Sequence, residues 1–290
     1  MSFTLLSWNV ENLSGESSDP KDVADHVQKK DPDVFGLFEV TGVDPLRLTD
    51  LLPEYDFGLT QGVQRQEILV GTRTGRFSQS IFSQKRKFKT SDPYLRPGAL
   101  LTLEVEGVLY NILFLHLDSG TAPSDFGRRD EMWGEIWDLQ STLNEKAGSE
   151  YARFIVVGDL NTMGAEIESA EDPLLTEDGE IEALAQRAEE RGMRLLPKEG
   201  EVTFNDGDGL RSNLDHVLAT ENVSFQKLGT RPSRQTQEDR DAPNEAQAQG
   251  EEAYFVGLGG WNDREGERRV RYIEEVSDHT SLYCEIETGA

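Results

Sequence analysis

The sequence predicts a layered α/β or α+β domain with much antiparallel sheet. Three observations carry that prediction. Apolar runs of strand length mix with amphipathic helical stretches, without a strict βαβ rhythm. Two strand-like runs flank Gly107 closely enough to form a hairpin. No internal repeat of fixed period is present.

The elements follow in order. Phe3 to Val10 reads as a strand. Asp19-Pro20 opens a helix to about Lys30, with Asp19 as N-cap and Pro20 at the first position, where its missing N–H costs nothing. Asp33 to Val40 is a second strand and Pro45 to Leu52 a short helix. Tyr55 to Leu59 and Glu67 to Thr72 are strands joined by a turn, and Ala99 to Glu106 with Val108 to Leu115 is the hairpin around Gly107. Ser124 to Lys146 is the longest helical stretch, capped by Ser124-Asp125, with Trp133, Ile136, Trp137, Gln140 and Leu143 along one face. Phe154 to Gly158 is an apolar strand, Ile181 to Arg191 a helix ended by Gly192, and Asn213 to Ala219 and Thr280 to Glu287 are late strands. Thr230 to Glu252 is polar with almost no apolar residue and reads as a mobile surface insertion. Motif residues lie on both sides of it, so it interrupts one domain, 1–290, rather than separating two.

Composition narrows the function classes. The chain is 36% hydrophobic and 29% charged, globular but unusually polar. No apolar stretch approaches the length that spans a bilayer, so no stable membrane association is expected. Met1-Ser2-Phe3-Thr4 runs straight into strand-like sequence with no basic leader, so the expected location is cytoplasmic; a monomer is expected. The one cysteine, Cys284, leaves no internal disulfide and no cysteine metal cluster. The formal net charge of −26 repels nucleic-acid backbones and anionic membranes unless a basic patch or bound cations intervene. Divalent metal reverses the local field, so phosphate substrates stay open. Nine Lys and twenty Arg stand against 55 acidic residues, a balance that suits a salt-adapted source.

The chemistry gathers where apolar strands end. IVVGDLNT, Ile155 to Thr162, places Asp159 and Asn161 two apart beyond a buried strand, and alternation in an extended chain would turn both to one cleft. LSWNV places Asn9 in the first strand, VFGLFEV places Glu39 at the end of the second, and LYNILFLHLDSG places His116 at a strand end. SNLDHVLAT holds Asp215 and His216, and VSDHTSL holds Asp278 and His279. Each has an ordinary reading: a turn at Asp159 or Asp278, a backbone-bonding Asn9, a solvated rim charge at Glu39, structural imidazoles at His116 and His216. His26 lies in the first helix and reads as structural. Yet three of the four histidines fall in these segments. Carboxylates, amides and imidazoles at successive strand ends match a hydrolytic metal site above a sheet. Hard oxygen ligands suit magnesium or manganese better than zinc.

Asn9, Glu39, His116, the Asp159-x-Asn161 pair, Asp215 and the closing Ser277-Asp278-His279 resemble the signature of the endonuclease/exonuclease/phosphatase superfamily over residues 5 to 286. That superfamily includes pancreatic deoxyribonuclease-like enzymes, apurinic-site endonucleases, neutral sphingomyelinases, deadenylases and inositol polyphosphate 5-phosphatases. The resemblance implies a four-layer α/β/β/α sandwich, two largely antiparallel sheets face to face with helices outside. It implies a divalent cation, Mg2+ or Mn2+, on Glu39, with Asn9 and Asp278 as ligands or close supports. Asp159 would orient and deprotonate the attacking water and Asn161 would hold the phosphate. His279, held by Asp215, would donate to a non-bridging oxygen, and His116 would contact the phosphate from the other side. The reaction is then in-line attack of water on phosphorus without a covalent enzyme intermediate. A binding module on the same fold would be marked by loss of Glu39, Asp159, Asn161, Asp278 or His279, and all are present.

Arginines and lysines near these motifs are less specific. Arg96, in Tyr94-Leu95-Arg96-Pro97, has the forked donors of a phosphate clamp, though a surface role fits equally. Arg128 and Arg129 open the long helix and could reach the cleft, but a role away from it is favoured. The run Lys85-Arg86-Lys87-Phe88-Lys89 is a dense basic cluster for which a solvated hairpin edge is the favoured reading. The expected substrate is a phosphate ester, with nucleic acid or nucleotide favoured over lipid and inositol head groups. No extended basic stripe with interleaved aromatics marks a tight duplex binder.

Overall fold

The computed structural model describes residues 1–13, 19–41, 44–62, 67–90, 92–148, 151–167, 172–232 and 251–289. Two sheets form its centre, each built around one parallel pair. In the first, β1 (Ser2–Leu13) runs parallel to β2 (Val34–Val40), and β17 (Leu282–Glu287) lies antiparallel on the other side of β1. β4 (Glu67–Arg73) and β3 (Tyr55–Leu59) extend this sheet beyond β2, and the short β13 (Ser224–Phe225) and β16 (Gly257–Leu258) both pair with β17. In the second, β7 (Val108–His116) runs parallel to β8 (Arg153–Asp159). β6 (Gly98–Val105) and β5 (Gln79–Lys85) continue from β7, and β12 (Asp215–Thr220) and β9 (Met193–Leu195) continue from β8. Two small antiparallel pairs are also described, β10 (Phe204–Asn205) with β11 (Arg211–Ser212) and β14 (Gly229–Pro232) with β15 (Glu251–Tyr254). The helices are α1 (Pro20–Lys30), α2 (Asp44–Leu51), α3 (Pro123–Ala147), α4 (Glu177–Glu189) and α5 (Glu267–Glu275).

Side-chain alternation sorts the core into three apolar layers, which makes the architecture a four-layer α/β/β/α sandwich. Phe3, Leu5, Val34, Phe38, Ile155, Val157, Val217 and Ala219 point between the sheets. Their neighbours Leu6, Trp8, Phe35 and Leu37 point the other way, onto Val23, Val27, Leu48 and Ile273 of the helices outside the first sheet. Phe154, Val156 and Leu218 meet Trp133, Ile136, Trp137 and Leu184 of α3 and α4 outside the second. Gly36 lies on the inner face because the Phe114 ring occupies the space a Cβ would need, 2.2 Å away.

Several boundaries differ from the sequence reading for physical reasons. β5 was not anticipated: it is an edge strand with no apolar alternation to announce it. α3 begins at Pro123 with Ala122 as N-cap, and the Asp125 carboxylate accepts from the Ala122 N–H at 3.2 Å, so the cap lies before Ser124. α4 starts a turn earlier than Ile181, because Thr176 caps it and the acidic Glu177, Asp178 and Glu180 favour the positive end of the helix. Of the polar stretch 230–252 expected to be mobile, residues 233–250 lie outside the described residues, while its ends belong to β14 and β15.

Candidate active site

Both parallel pairs end on the same side of the sandwich, and the polar residues sit at those ends. Asn9 lies near the end of β1 and Glu39 near the end of β2, while His116 and Asp159 stand opposite each other at the ends of β7 and β8. The antiparallel β12 starts at Asp215, also opposite Asp159. Asp278 and His279 precede β17. The register of β1 and β2 shifts after Asn9, and that of β2 and β4 shifts between Phe38 and Val40. Such bulges re-aim side chains. Glu11 (φ 48°), Glu39 (φ 61°) and Asn161 (φ 48°) are three of the five described non-glycine residues with positive φ, and all three line one cleft. Backbone strain in this region persists where the surroundings impose it, and it gathers at functional sites. Gly158 (φ 149°) admits no side chain, since a Cβ would fall 1.9 Å from the Leu115 carbonyl oxygen.

The cleft holds about 320 Å³ and is lined by Asn9, Glu11, Glu39, His116, Asp159, Asn161, Asp278 and His279, with Phe204 and Leu210 on one wall. Asn9 Nδ2 donates to Asp159 Oδ2 at 2.9 Å and to Glu39 Oε1 at 3.3 Å, while its Oδ1 accepts from the Glu11 N–H at 3.0 Å. The Asn161 N–H donates to Asp159 Oδ1 at 3.1 Å, so a turn, not strand alternation, brings these two together. Asn161 Nδ2 donates to the Leu117 carbonyl at 3.1 Å. His116 Nε2 stands 3.5 Å from Glu39 Oε1 and 3.6 Å from Asp159 Oδ2. His279 Nδ1 donates to Asp215 Oδ2 at 2.8 Å, which leaves Nε2 facing Asp159 Oδ2 at 3.9 Å and Asp278 Oδ1 at 3.8 Å. The main chain of this corner is fixed by Ser277 Oγ on the Asn9 carbonyl (2.7 Å) and by Trp8 Nε1 on the His279 carbonyl (3.2 Å).

The two cleft imidazoles are driven to opposite states. Burial holds His116 well below its usual pKa, with the Arg96 guanidinium and His279 adding to the effect, so it is neutral. Burial also disfavours charge on His279, but the Asp215 and Asp159 carboxylates outweigh it and raise the ring to about 10. Asp159 is pushed up to about 7, by burial first and by Asp215 and Glu39, against the pull of His279 and the Asn9 amide. Asp278 also rises to about 7, by burial and by Glu11, Glu39 and Asp159. Perturbed groups converging in a cleft are a physical signature of a reactive site. A larger groove of about 440 Å³ between α1 and α5 contains none of these groups, so size alone points elsewhere than chemistry does.

Ligand atoms of Asp159, Asp215 and His279 lie within 4.8 Å of one another, a group that could hold a metal ion. Asp215 Oδ2 and His279 Nδ1 are already spent on each other, which leaves this group fewer ligand atoms to offer. The opposite wall offers Glu39, Glu11 and Asp278; burial and then the charges of Glu11 and Glu39 raise Asp278, whose Oδ1 is buried without a hydrogen-bond partner. That oxygen-rich, orphan-bearing side fits a hard divalent cation better.

Other sequence candidates fall outside the cleft. The Arg96 guanidinium is 4.0 Å from Asp118 and senses Asp159 and Glu39, with Nη1 buried and without a hydrogen-bond partner beside the cleft. Arg128 pairs with Asp118 and Asp125. Arg129 is buried and forks onto Glu180 at 2.8 Å through both Nε and Nη2. Lys85 closes β5 and Phe88 is buried beneath the 86–89 turn, and none of that basic run lines the cleft. His216 bonds Thr162 behind the site (2.9 Å), and His26 bonds Ser281 (2.9 Å). Sequence reasoning missed Glu11, whose signal was its place two residues beyond Asn9, and Phe204, whose ring meets His279 edge-on at 5.1 Å.

Comparison with known proteins agrees with this architecture. The sequence model of the Endonuclease/Exonuclease/phosphatase family matches residues 6–279. No curated protein gives a significant sequence match. Among solved structures, an endonuclease/exonuclease/phosphatase protein from Bacteroides vulgatus superposes with a TM-score of 0.65 at 13% identity, covering 100% of both chains. Truncated TDP2 from Caenorhabditis elegans gives 0.62 at 16% identity, over 99% of this chain and 98% of that one. TDP2 from D. rerio, solved with a single-strand DNA product, gives 0.61 at 16%, over 99% of each chain. At these identities the likeness concerns the fold.

Proposed function

The chain belongs to the endonuclease/exonuclease/phosphatase family, and from that premise we propose that it is a divalent-metal-dependent phosphodiesterase acting on nucleic acid or nucleotides. One observation carries the metal dependence. The cleft is lined by Glu11, Glu39, Asp159 and Asp278, and no Lys or Arg is among its described lining residues. A phosphate ester would meet a field of its own sign there unless a cation offsets it. Glu39 and Asp278 would hold magnesium or manganese, with Asn9 tying Glu39 to Asp159. When bound, the ion supplies positive charge that polarises the phosphoryl oxygens and steadies the leaving oxygen.

The chain's own residues supply the remaining steps. Asp159, with a pKa of about 7, is poised near neutrality to take a proton from the attacking water. Asn161 stands beside it to hold the phosphate. His279, kept cationic by Asp215, donates from Nε2 to a non-bridging oxygen. Neutral His116 contacts the phosphate from the other side, and Arg96, beside the cleft with its Nη1 buried and unpartnered, adds positive charge behind it. Water attacks phosphorus in line and the ester P–O bond breaks opposite it. The DNA product bound by the D. rerio neighbour supports nucleic acid as the substrate class.

A panel of plasmid DNA, RNA, an aryl phosphodiester, an aryl phosphomonoester, inositol phosphates and sphingomyelin tests the proposal. Cleavage of the diesters and nucleic acids is expected with magnesium or manganese and none in chelator. Turnover that survives exhaustive chelation would sink the metal mechanism, and preference for inositol phosphates or sphingomyelin would replace the substrate class.

A further inference from the structure

Behind the cleft lies a buried ammonium that the hydrolytic steps leave unused. Lys198 is 4% exposed and follows β9, at a parallel bridge to Val256. Its Nζ donates to Asn213 Oδ1 and to the main-chain carbonyl of Asp215, and stands 3.4 Å from His216 Nδ1. An ammonium has three donors, and these three acceptors can engage them all. A charge so deeply buried is strongly disfavoured unless it is satisfied in this way.

What Lys198 grips is the turn that delivers Asp215. Asn213 is tied at every polar atom: its N–H donates to Glu177 Oε1 (2.5 Å), its Nδ2 to Glu201 Oε2 (3.2 Å), and its carbonyl accepts from Thr162 Oγ1 (2.8 Å). The Asp215 N–H donates to Thr203 Oγ1 at 3.0 Å. With Lys198 on its carbonyl, the Asp215 backbone is held on both sides, and its Oδ2 then meets His279 Nδ1 at 2.8 Å. His216 faces away from the cleft and completes the grip through Thr162.

We propose that Lys198 is a positioning residue for the Asp215–His279 pair, fixing the 213–216 turn so that the Asp215 carboxylate orients the His279 ring. Its kinetic consequence rests on the phosphodiesterase reading; its geometric consequence does not. The test therefore has two arms. In the first, the imidazole Nδ1 proton shared with Asp215 is followed by NMR in metal-free protein, assigned by its loss in His279→Gln. Lys198→Met should shift or erase that resonance while the melting transition stays cooperative. In the second, Lys198→Met should lower kcat on a phosphodiester by about 10- to 100-fold with KM changed less than about two-fold, since misplacement by an ångström costs that order. The same substitution in an Asp215→Asn background should add less than about two-fold.

Lys198→Gln keeps two N–H donors without the charge and carries both arms if the Met variant does not fold. An unchanged Nδ1 resonance, or an equal kinetic loss with and without Asp215, overturns the proposal. Failure of both variants to fold overturns it too, by making Lys198 a folding residue. If the wild-type protein cleaves no phosphodiester, the functional reading fails while the NMR arm still decides the positioning role.

Discussion

Asn9 Nδ2 lies 2.9 Å from Asp159 Oδ2, and that buried hydrogen bond joins β1 of one sheet to β8 of the other in the wall of the cleft. The same amide nitrogen reaches Glu39, so one side chain sets the spacing between the residue proposed to hold the cation and the residue proposed to activate water. Its carbonyl oxygen is occupied by the Glu11 N–H. The geometry supports Asn9 as an orienting bridge.

Asp159→Asn keeps the shape of this junction and removes the base. Turnover should fall by about 10²- to 10⁴-fold, the usual worth of a positioned base. The melting temperature should change little, because removing a carboxylate disfavoured by burial, Asp215 and Glu39 is offset by turning an amide NH2 toward one of the donors that Asp159 accepts from, Asn9 Nδ2 or the Asn161 N–H. Near-normal turnover in the purified variant would remove Asp159 from the mechanism.

Cation binding should release protons. With Asp159 and Asp278 both raised to about 7, the metal-free cleft carries bound protons below neutrality that a bound cation must displace. The sign follows from linkage: raised carboxyl pKa values mean that the metal-free fold binds more protons than the cation-loaded one between about pH 4 and pH 7. Apparent affinity for manganese should therefore climb with pH and level off above about pH 8. Calorimetry near pH 6.5 in buffers of different ionisation heat measures the release, and identical heats in those buffers would contradict it.

Arg129 and Glu180 tie the loops on either side of His116 and Asp159. Besides its fork on Glu180, Arg129 donates to the carbonyls of Gly120 (2.8 Å) and Gly164 (2.7 Å), and Glu180 Oε2 accepts from the Gly164 N–H at 2.7 Å. Arg129→Met leaves a buried carboxylate without its countercharge and should cost about 3–5 kcal/mol in urea unfolding. Adding Glu180→Leu should recover part of that loss, since the two share one network. A single-variant cost below about 1 kcal/mol would show that the clamp is not structural.

The net charge of −26 predicts a salt-stabilised fold. Raising ionic strength shortens the Debye length from about 10 Å at 0.1 M to about 3 Å at 1 M and screens self-repulsion. Melting temperature should rise over that range in a non-chelating chloride salt. A flat profile would mean that the acidic surface is spaced widely enough to need no screening.

Much of this molecule is local chemistry and was legible in the chain. The Asp19-Pro20 helix start, the hairpin at Gly107 and the two-residue alternation of β1 and β8 follow from backbone and side-chain geometry over a few residues. So did the placing of Glu39, His116 and Asp159 at strand ends. What needed the tertiary structure was every relationship that crosses between elements. Asp215 meets His279 across 64 residues of sequence, a pairing that the family resemblance implied but no local pattern carried, and Glu11 enters the cleft because a bulge with positive φ turns it there. Arg129 turns to Glu180 instead of the cleft, and Lys198 reaches the Asp215 carbonyl. Burial, and with it the opposite charge states of His116 and His279, is conferred by strands and loops packed from elsewhere in the chain. A sequence carries periodicity and propensity residue by residue, whereas distance and desolvation exist only once the two sheets have closed on each other.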